Sequence, residues 1–341
     1  MDPYSAADIS AVDDDGACSS ISPAVHSDVI QTHILTRLDG PTLASAACAS
    51  SQFRHLCAGD DLWKNICTTK WPSLDDPPVH DFISTFPNGH RSIFYDSFPS
   101  LQPLPSEKKH LHRSSPSKEL ISAVDMYYKD TPIFSKAHRT DTQMDWFLCS
   151  PLWVDLLDPK EFVPTPVNYV PKDEDWLKHL EDNLSLSWIL IDPTRKRSAN
   201  LSSRRPVSVQ RHWLTRDLEI LYAVTVARDE TSSEWVQCMI KVTCGGKAGE
   251  EMHVRGVSLI VEDTEGKTMT GKDSLGILQR AMENAERKIV RQEKAKGRYE
   301  KFLGVKKQRK ERKQRMEKAM EMISLMVIIL VLVFFCGFML F

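Results

Sequence analysis

Residues 27–67 read SDVIQTHILTRLDGPTLASAACASSQFRHLCAGDDLWKNIC, and their pattern decides the architecture of the amino-terminal part. Ser27-Asp28 suits a helix start: a side-chain oxygen caps free backbone N–H groups, and a negative charge meets the positive helix end. Ile30, Ile34, Leu35 and Leu38 follow on one helical face. Asp39-Gly40-Pro41 stops that helix. Leu43-Ala44-Ser45-Ala46-Ala47-Cys48 predicts a second helix whose small side chains let neighbours approach closely. Phe53, Leu56, Leu62, Trp63 and Ile66 supply the large apolar groups that close a small core. A three-helix unit of about 45 residues buries too little surface to be very stable alone, so its apolar residues stand to gain from a partner.

This stretch resembles an F-box. The matching features are Ile34-Leu35 with Leu38, the Asp39-Gly40 turn, Leu43 with its small-residue helix, Ser51-Gln52-Phe53-Arg54 with Leu56, and Asp61-Leu62-Trp63-Lys64. Val25-His26 stands where many F-boxes open with Leu-Pro. The resemblance implies binding to a Skp-type adaptor, and through it to a cullin and a RING subunit. The adaptor contacts it implies are Ile30, Ile34, Leu35, Leu38, Leu43, Phe53, Leu56, Leu62 and Trp63. The whole chain is similar to a plant group of F-box proteins that includes the cytokinin-induced one. The shared features are the Thr32-His33-Ile34-Leu35-Thr36-Arg37-Leu38-Asp39-Gly40 run, a Trp-rich middle and, in some members, an apolar tail.

Outward from the F-box at 25–71, residues 1–24 are acidic, small and serine-rich, and predict disorder without an apolar leader. The 341 residues leave room for further modules, and 41% hydrophobic content permits an ordinary core. The eight cysteines form no CxxC pair and read as buried or free thiols of a reducing compartment. His110 and His112 have no cysteine nearby, so no metal site is predicted.

Residues 72–118 read as a Pro/Ser-rich linker, most clearly over 98–118. From 119 to 271 a β-rich, sandwich-like domain is predicted, with strands near 120–128, 145–148, 184–191, 217–226, 235–243 and 253–262. A short helix is predicted over 178–183, and Asp263-Thr264-Glu265-Gly266-Lys267 reads as a hairpin turn. The strands around Trp188-Ile189-Leu190 and 222–226 are similar to those of phloem-lectin-like domains of other plant F-box proteins. Trp146, Trp153, Trp176, Trp188, Trp213 and Trp235 read chiefly as packing residues, with sugar or peptide binding as the alternative. Cys244-Gly245-Gly246-Lys247-Ala248-Gly249 lacks phosphate-loop spacing, and no GxSxG, HExxH or paired-carboxylate motif occurs. A non-enzymatic protein without cofactor is the expectation.

A helix is expected to start at Asp273-Ser274. Leu275, Leu278, Met282, Ala285 and Ile289 continue it at heptad spacing and either pack on the β domain or pair two chains. Between Arg287 and Glu321 stand 15 Lys/Arg against 5 Asp/Glu, so this segment carries +10 and the remainder of the −2 chain carries −12. The fold expected is thus α+β: F-box, β-rich domain, basic helix over 272–321 and a membrane helix over 322–341. That last stretch is 20 uncharged residues, 14 of them Leu, Ile, Val or Phe. It would cover about 30 Å as a helix and favour insertion by roughly 4–8 kcal/mol. The positive-inside rule would keep residues 1–321 in the cytosol, on endoplasmic reticulum or plasma membrane, and leave the sequons at Asn183 and Asn200 unmodified. Lys306, Lys307, Arg309, Lys310, Arg312, Lys313 and Arg315 would then contact anionic lipid in preference to nucleic acid or a nuclear importer.

The function expected is a membrane-tethered, substrate-recruiting subunit of an SCF-type ubiquitin ligase acting on an unidentified protein. The alternatives are an adaptor-binding protein without ubiquitin transfer and a carbohydrate-binding module with an attached F-box.

Overall fold

A computed structural model describes residues 26–102, 117–170, 173–229 and 234–339, with side chains of the last helix given to Leu332 and at Phe335. The expected disorder of 1–24 and the histidine pair at 110 and 112 lie outside these residues. The chain divides into two compact units, Met1–Leu62 and Trp63–Phe341.

In the first unit, α1 (Ser27–Val29) opens a helical run that widens over Ile30–Ile34 and tightens over Leu35–Arg37. Its cap is His26, whose Nδ1 accepts from the Asp28 N–H at 3.3 Å. Thr32 and Thr36 donate their hydroxyls back to the carbonyls of Asp28 and Thr32, at 2.6 and 2.8 Å. Such back-bonding disturbs helical regularity. Then α2 (Gly40–Ala46) is capped by the Asp39 carboxylate on the Thr42 N–H at 3.0 Å, with Pro41 in the first turn. The next helix, α3 (Ser51–Leu56), is capped by Ser50 on Phe53. The division into units falls inside α4 (Asp60–Lys70).

The second unit begins with helices where a linker was expected. A tight turn at Pro72–Asp75 leads to α5 (Pro77–Ser84) and α6 (Gly89–Ser97). Pro72, Pro77 and Pro78 occupy first-turn positions, where a missing N–H costs nothing. The linker reading is therefore corrected for 72–102, while 103–116 lies outside the described residues. These helices are clasped to the sheets. Ser73 gives its N–H (2.9 Å) and hydroxyl (2.6 Å) to buried Asp125, and the Trp71 indole donates to Ser187 at 3.1 Å. Asp96 takes a bidentate pair from Arg197 at 2.8 and 2.9 Å.

The strands follow as β1 (Ser100–Leu101), β2 (Glu119–Tyr128), β3 (Thr131–Asp141), α7 (Asp145–Cys149), β4 (Trp153–Asp155), β5 (Val163–Asn168), α8 (Glu174–Asn183), β6 (Leu184–Asp192) and β7 (Arg197–Asn200). After them come β8 (Ser208–Arg211), β9 (Leu218–Ala227), β10 (Trp235–Gly245), β11 (Glu251–Asp263), α9 (Gly271–Asn284), β12 (Arg287–Lys288) and α10 (Gln292–Met339). One sheet runs β12-β1-β7-β6-β2-β3, and the other β4-β11-β10-β9-β8 with β5 also on β11. A single apolar cluster draws on both sheets, with Val124, Trp188, Tyr222, Ile240 and Leu259 among its members. The expected stretch 145–148 is helix α7 instead: Asp145 suits the first turn, and only Phe147 is buried.

Helix α9 starts earlier than expected, capped by Thr270 on the Asp273 N–H. Leu275, Leu278 and Met282 of its stripe join the core, which settles packing over chain pairing for those three; Ile289 lies beyond the helix and is exposed. Asn200 of the second sequon is interior, its Oδ1 accepting from the Trp188 and Ser202 N–H groups.

Helix α10 is one element of about 72 Å. Its first turns lie along β9 and the neighbouring strands. Tyr299 packs against Val207, Leu221 and Ala223, Phe302 is 1% exposed, and Lys301 sits over the Trp235 ring at 4.7 Å. The membrane span and the membrane localisation are corrected here. Among the described residues no helix is long and apolar enough to cross a membrane. Residues 340–341 of the expected span lie outside the description.

Candidate adaptor interface

The wide turn of the first helical run sorts the apolar residues of the amino-terminal unit. The Leu35 N–H bonds the Ile30 carbonyl, five residues back. Ile30 and Leu35 therefore point the same way, and both are buried. Ile34, which regular spacing would place beside Ile30, turns outward and is 48% exposed. Val29 is exposed as well, and Leu38, Phe53 and Leu56 are half-buried. Leu43, Ala47, Cys57 and Leu62 are buried.

The nine expected contact residues thus separate. Ile34, Leu38, Phe53 and Leu56 keep apolar surface available for a partner. Ile30, Leu35, Leu43 and Leu62 are interior residues. Trp63 belongs to the second unit, where its ring meets Phe94 at 5.3 Å and the Arg91 guanidinium at 5.8 Å. Val29 is the exposed apolar residue that the sequence expectation missed.

Of the basic residues expected to touch lipid, Lys306 reaches Glu262 at 2.7 Å and Arg309 reaches Glu234 at 3.3 Å. Both serve the contact between α10 and the sheet domain. Lys307, Lys310, Arg312, Lys313 and Arg315 are exposed. The tryptophans do not share one role either. Trp188 is buried, Trp176 and Trp235 are half-buried, and Trp146, Trp153 and Trp213 are exposed on α7, β4 and the β8–β9 turn.

Burial pushes the Cys238 thiol up to about 12, and burial, with Asp217 nearby, does the same for Cys244. Both are poor thiolates. Among the described residues no group of three or more His, Cys, Asp or Glu is placed to hold a metal.

Residues 28–69 match the F-box-like family. The Arabidopsis thaliana F-box protein At2g27310 is 45% identical over 301 residues, which cover 84% of this chain and 87% of that relative. The chain belongs to the F-box protein family. A second Arabidopsis thaliana F-box protein, At3g44326, is 44% identical over 297 residues, covering 84% of this chain and 81% of its own. The probable F-box protein At2g36090 of the same plant is 45% identical over 285 residues, covering 83% and 82%. No solved structure matches. These likenesses run well beyond the F-box, so the sheet domain is shared with the plant relatives. Their names carry no hormone response, and the assignment stands at the level of plant F-box proteins.

Proposed function

We propose that this F-box protein is the substrate-recruiting subunit of an SCF-type ubiquitin ligase. The supporting observation is the exposed Ile34, with half-buried Leu38, Phe53 and Leu56, inside the stretch that matches the F-box-like family. These side chains would enter a groove of a Skp-type adaptor, which joins the chain to a cullin and a RING subunit. The sheet domain would select the protein to be modified. The chain itself transfers nothing.

The test is the double substitution Ile34→Ala, Leu38→Ala in the full chain. Truncating a buried interface anchor costs about 2 kcal/mol, roughly a thirtyfold loss in affinity. Ile34 is exposed in the free chain, so the fold should survive. Adaptor co-precipitation should be lost while the circular dichroism spectrum is kept. An unchanged pull-down would refute the assignment. Cullin in the wild-type precipitate marks a ligase subunit, and adaptor without cullin would favour an interaction protein that does not transfer ubiquitin.

A further inference from the structure

Within the second unit, a cavity of about 230 Å³ opens between the end of α4, strands β2 and β6, and the loop after β7. Its polar lining includes Lys70, Trp71, Tyr127, Asp130, Ser185, Ser187 and Arg204. Arg204 is held there by backbone. Its φ is +67°, a left-handed conformation that a branched or long side chain adopts only when its surroundings impose it. Here the Leu186 N–H donates to the Arg204 carbonyl at 2.7 Å, and the Arg204 N–H donates to the Ser202 hydroxyl at 3.1 Å.

The side chain so placed lacks a carboxylate. Arg195, Arg197, Arg211, Arg228 and Arg255 each meet one. Arg204 meets none among the described residues, and its Nη2 is buried without a hydrogen-bond partner. Its guanidinium lies 4.7 Å from the Phe98 ring centroid, and Lys70 Nζ lies 5.4 Å from the same centroid. Two cations are thus gathered at one ring beside one cavity. Burial holds the Arg204 guanidinium below its ordinary value, which is the cost of desolvating it without a counter-charge. An arginine kept in a strained backbone, half-desolvated and short of an acceptor, is arranged for a group that is not part of this chain.

The hydroxyls complete the donor set. Ser187 Oγ accepts from the Trp71 indole, which leaves its own hydrogen to donate. Tyr127 is already committed, donating to the Lys70 carbonyl at 3.0 Å. Asp130 is the one carboxylate of the lining and opposes an anion.

We propose that this cavity binds a phosphoryl oxyanion, held by the Arg204 guanidinium and the Lys70 ammonium with the Ser185 and Ser187 hydroxyls as further donors. The planar guanidinium fork suits two oxygens of a phosphoryl group, which carries a charge of about −1.5 to −2 at neutral pH, and the Lys70 ammonium adds a second cation beside it. The group arrives either as free phosphate or on a phosphorylated side chain of another protein. The site stands whether or not the chain recruits ubiquitin-ligase substrates, because adaptor contact uses residues of the other unit.

The test is isothermal titration of the full chain at fixed ionic strength with inorganic phosphate, with an acetylated Gly-phosphoserine-Gly amide and with its unphosphorylated form. Saturable binding of the phosphorylated probes is expected. It should weaken about tenfold or more in Arg204→Gln, the loss of one charge-assisted contact. It should strengthen in Asp130→Asn, where asparagine tolerates the left-handed backbone of that position (φ +65°). A purely structural role for these residues would not move affinity in opposite directions. A tighter tripeptide than phosphate assigns the site to a phosphorylated protein, and equal binding assigns it to the free ion. Absence of saturable binding by the wild-type chain, or equal affinities in wild type, Arg204→Gln and Asp130→Asn, would overturn the proposal.

Discussion

Replacing Phe302 by alanine tests whether α10 is part of the sheet domain or a stalk beside it. Phe302 is 1% exposed although it lies on a helix that is otherwise largely solvated. It falls three residues after Tyr299 and four before Lys306, so one face of the helix carries the ring against Val207, Leu221 and Ala223, the buried phenyl group and the ion pair to Glu262. Truncating a buried phenylalanine removes its transfer free energy and leaves a cavity, at a combined cost of about 3–5 kcal/mol. A domain of this size has about 5–15 kcal/mol to lose. Each kcal/mol moves the Tm by about 2–4 °C, so Phe302→Ala should lower it by roughly 6–20 °C. Leu303→Ala is the control, since the neighbouring side chain is 40% exposed and should cost less than about 1 kcal/mol. The assay is thermal unfolding followed by tryptophan fluorescence, with the midpoint read for each variant. A Phe302→Ala midpoint no lower than that of Leu303→Ala would show that the helix does not rest on the sheet.

Gly271→Ala should destabilise by about 1–3 kcal/mol or more, because a Cβ there would lie 2.1 Å from the Phe147 carbonyl oxygen; an unchanged Tm would contradict the close approach of α7 and α9. Asp96→Asn removes the charge that holds Arg197 and Arg287 together, at a cost of about 3 kcal/mol for breaking a mostly buried pair, measurable as a lowered urea midpoint. Burial raises the Asp125 carboxyl above its ordinary 3.8, against the hydrogen bonds from Ser73 and Ser135 that lower it. The folded chain therefore binds that proton more tightly than the unfolded chain. The stability this group contributes is full below pH 3.8 and is lost as pH rises through its raised native value. Asp125→Asn should flatten that part of the stability–pH profile, and parallel profiles for variant and wild type would refute the assignment.

The long central strands were legible in the sequence because they are apolar on both faces. The pattern in β6, β9 and β10 leaves no exposed position, and apolar residues make up most of each run. Strand β3 was not legible. It is a sheet edge whose Lys136, His138 and Arg139 blunt pairing with other chains, and those same charges mask it as a strand. Prolines concealed α5, since a proline that starts a helix looks in sequence like one that prevents it. In the F-box, the apolar spacing located the helices but not their inner faces. One wide turn exchanges the positions that Ile34 and Leu35 would otherwise take, and local sequence does not announce it. The Arg204 cavity gave no signal at all, because its lining comes from four separated stretches of chain.

The F-box of this chain is not a freely portable cassette. The stretch that matches the family ends at residue 69, yet the division between compact units falls before Trp63. Trp63 lies on Phe94, and the Cys67 thiol donates to the His90 carbonyl at 3.4 Å, both ties of the sheet-bearing unit. Genetic exchange of residues 28–69 with another F-box would replace two side chains already fitted to α6. Recombination at this boundary should succeed only between partners that share the α6 surface, and inheritance of the motif is thereby linked to inheritance of the domain that follows it.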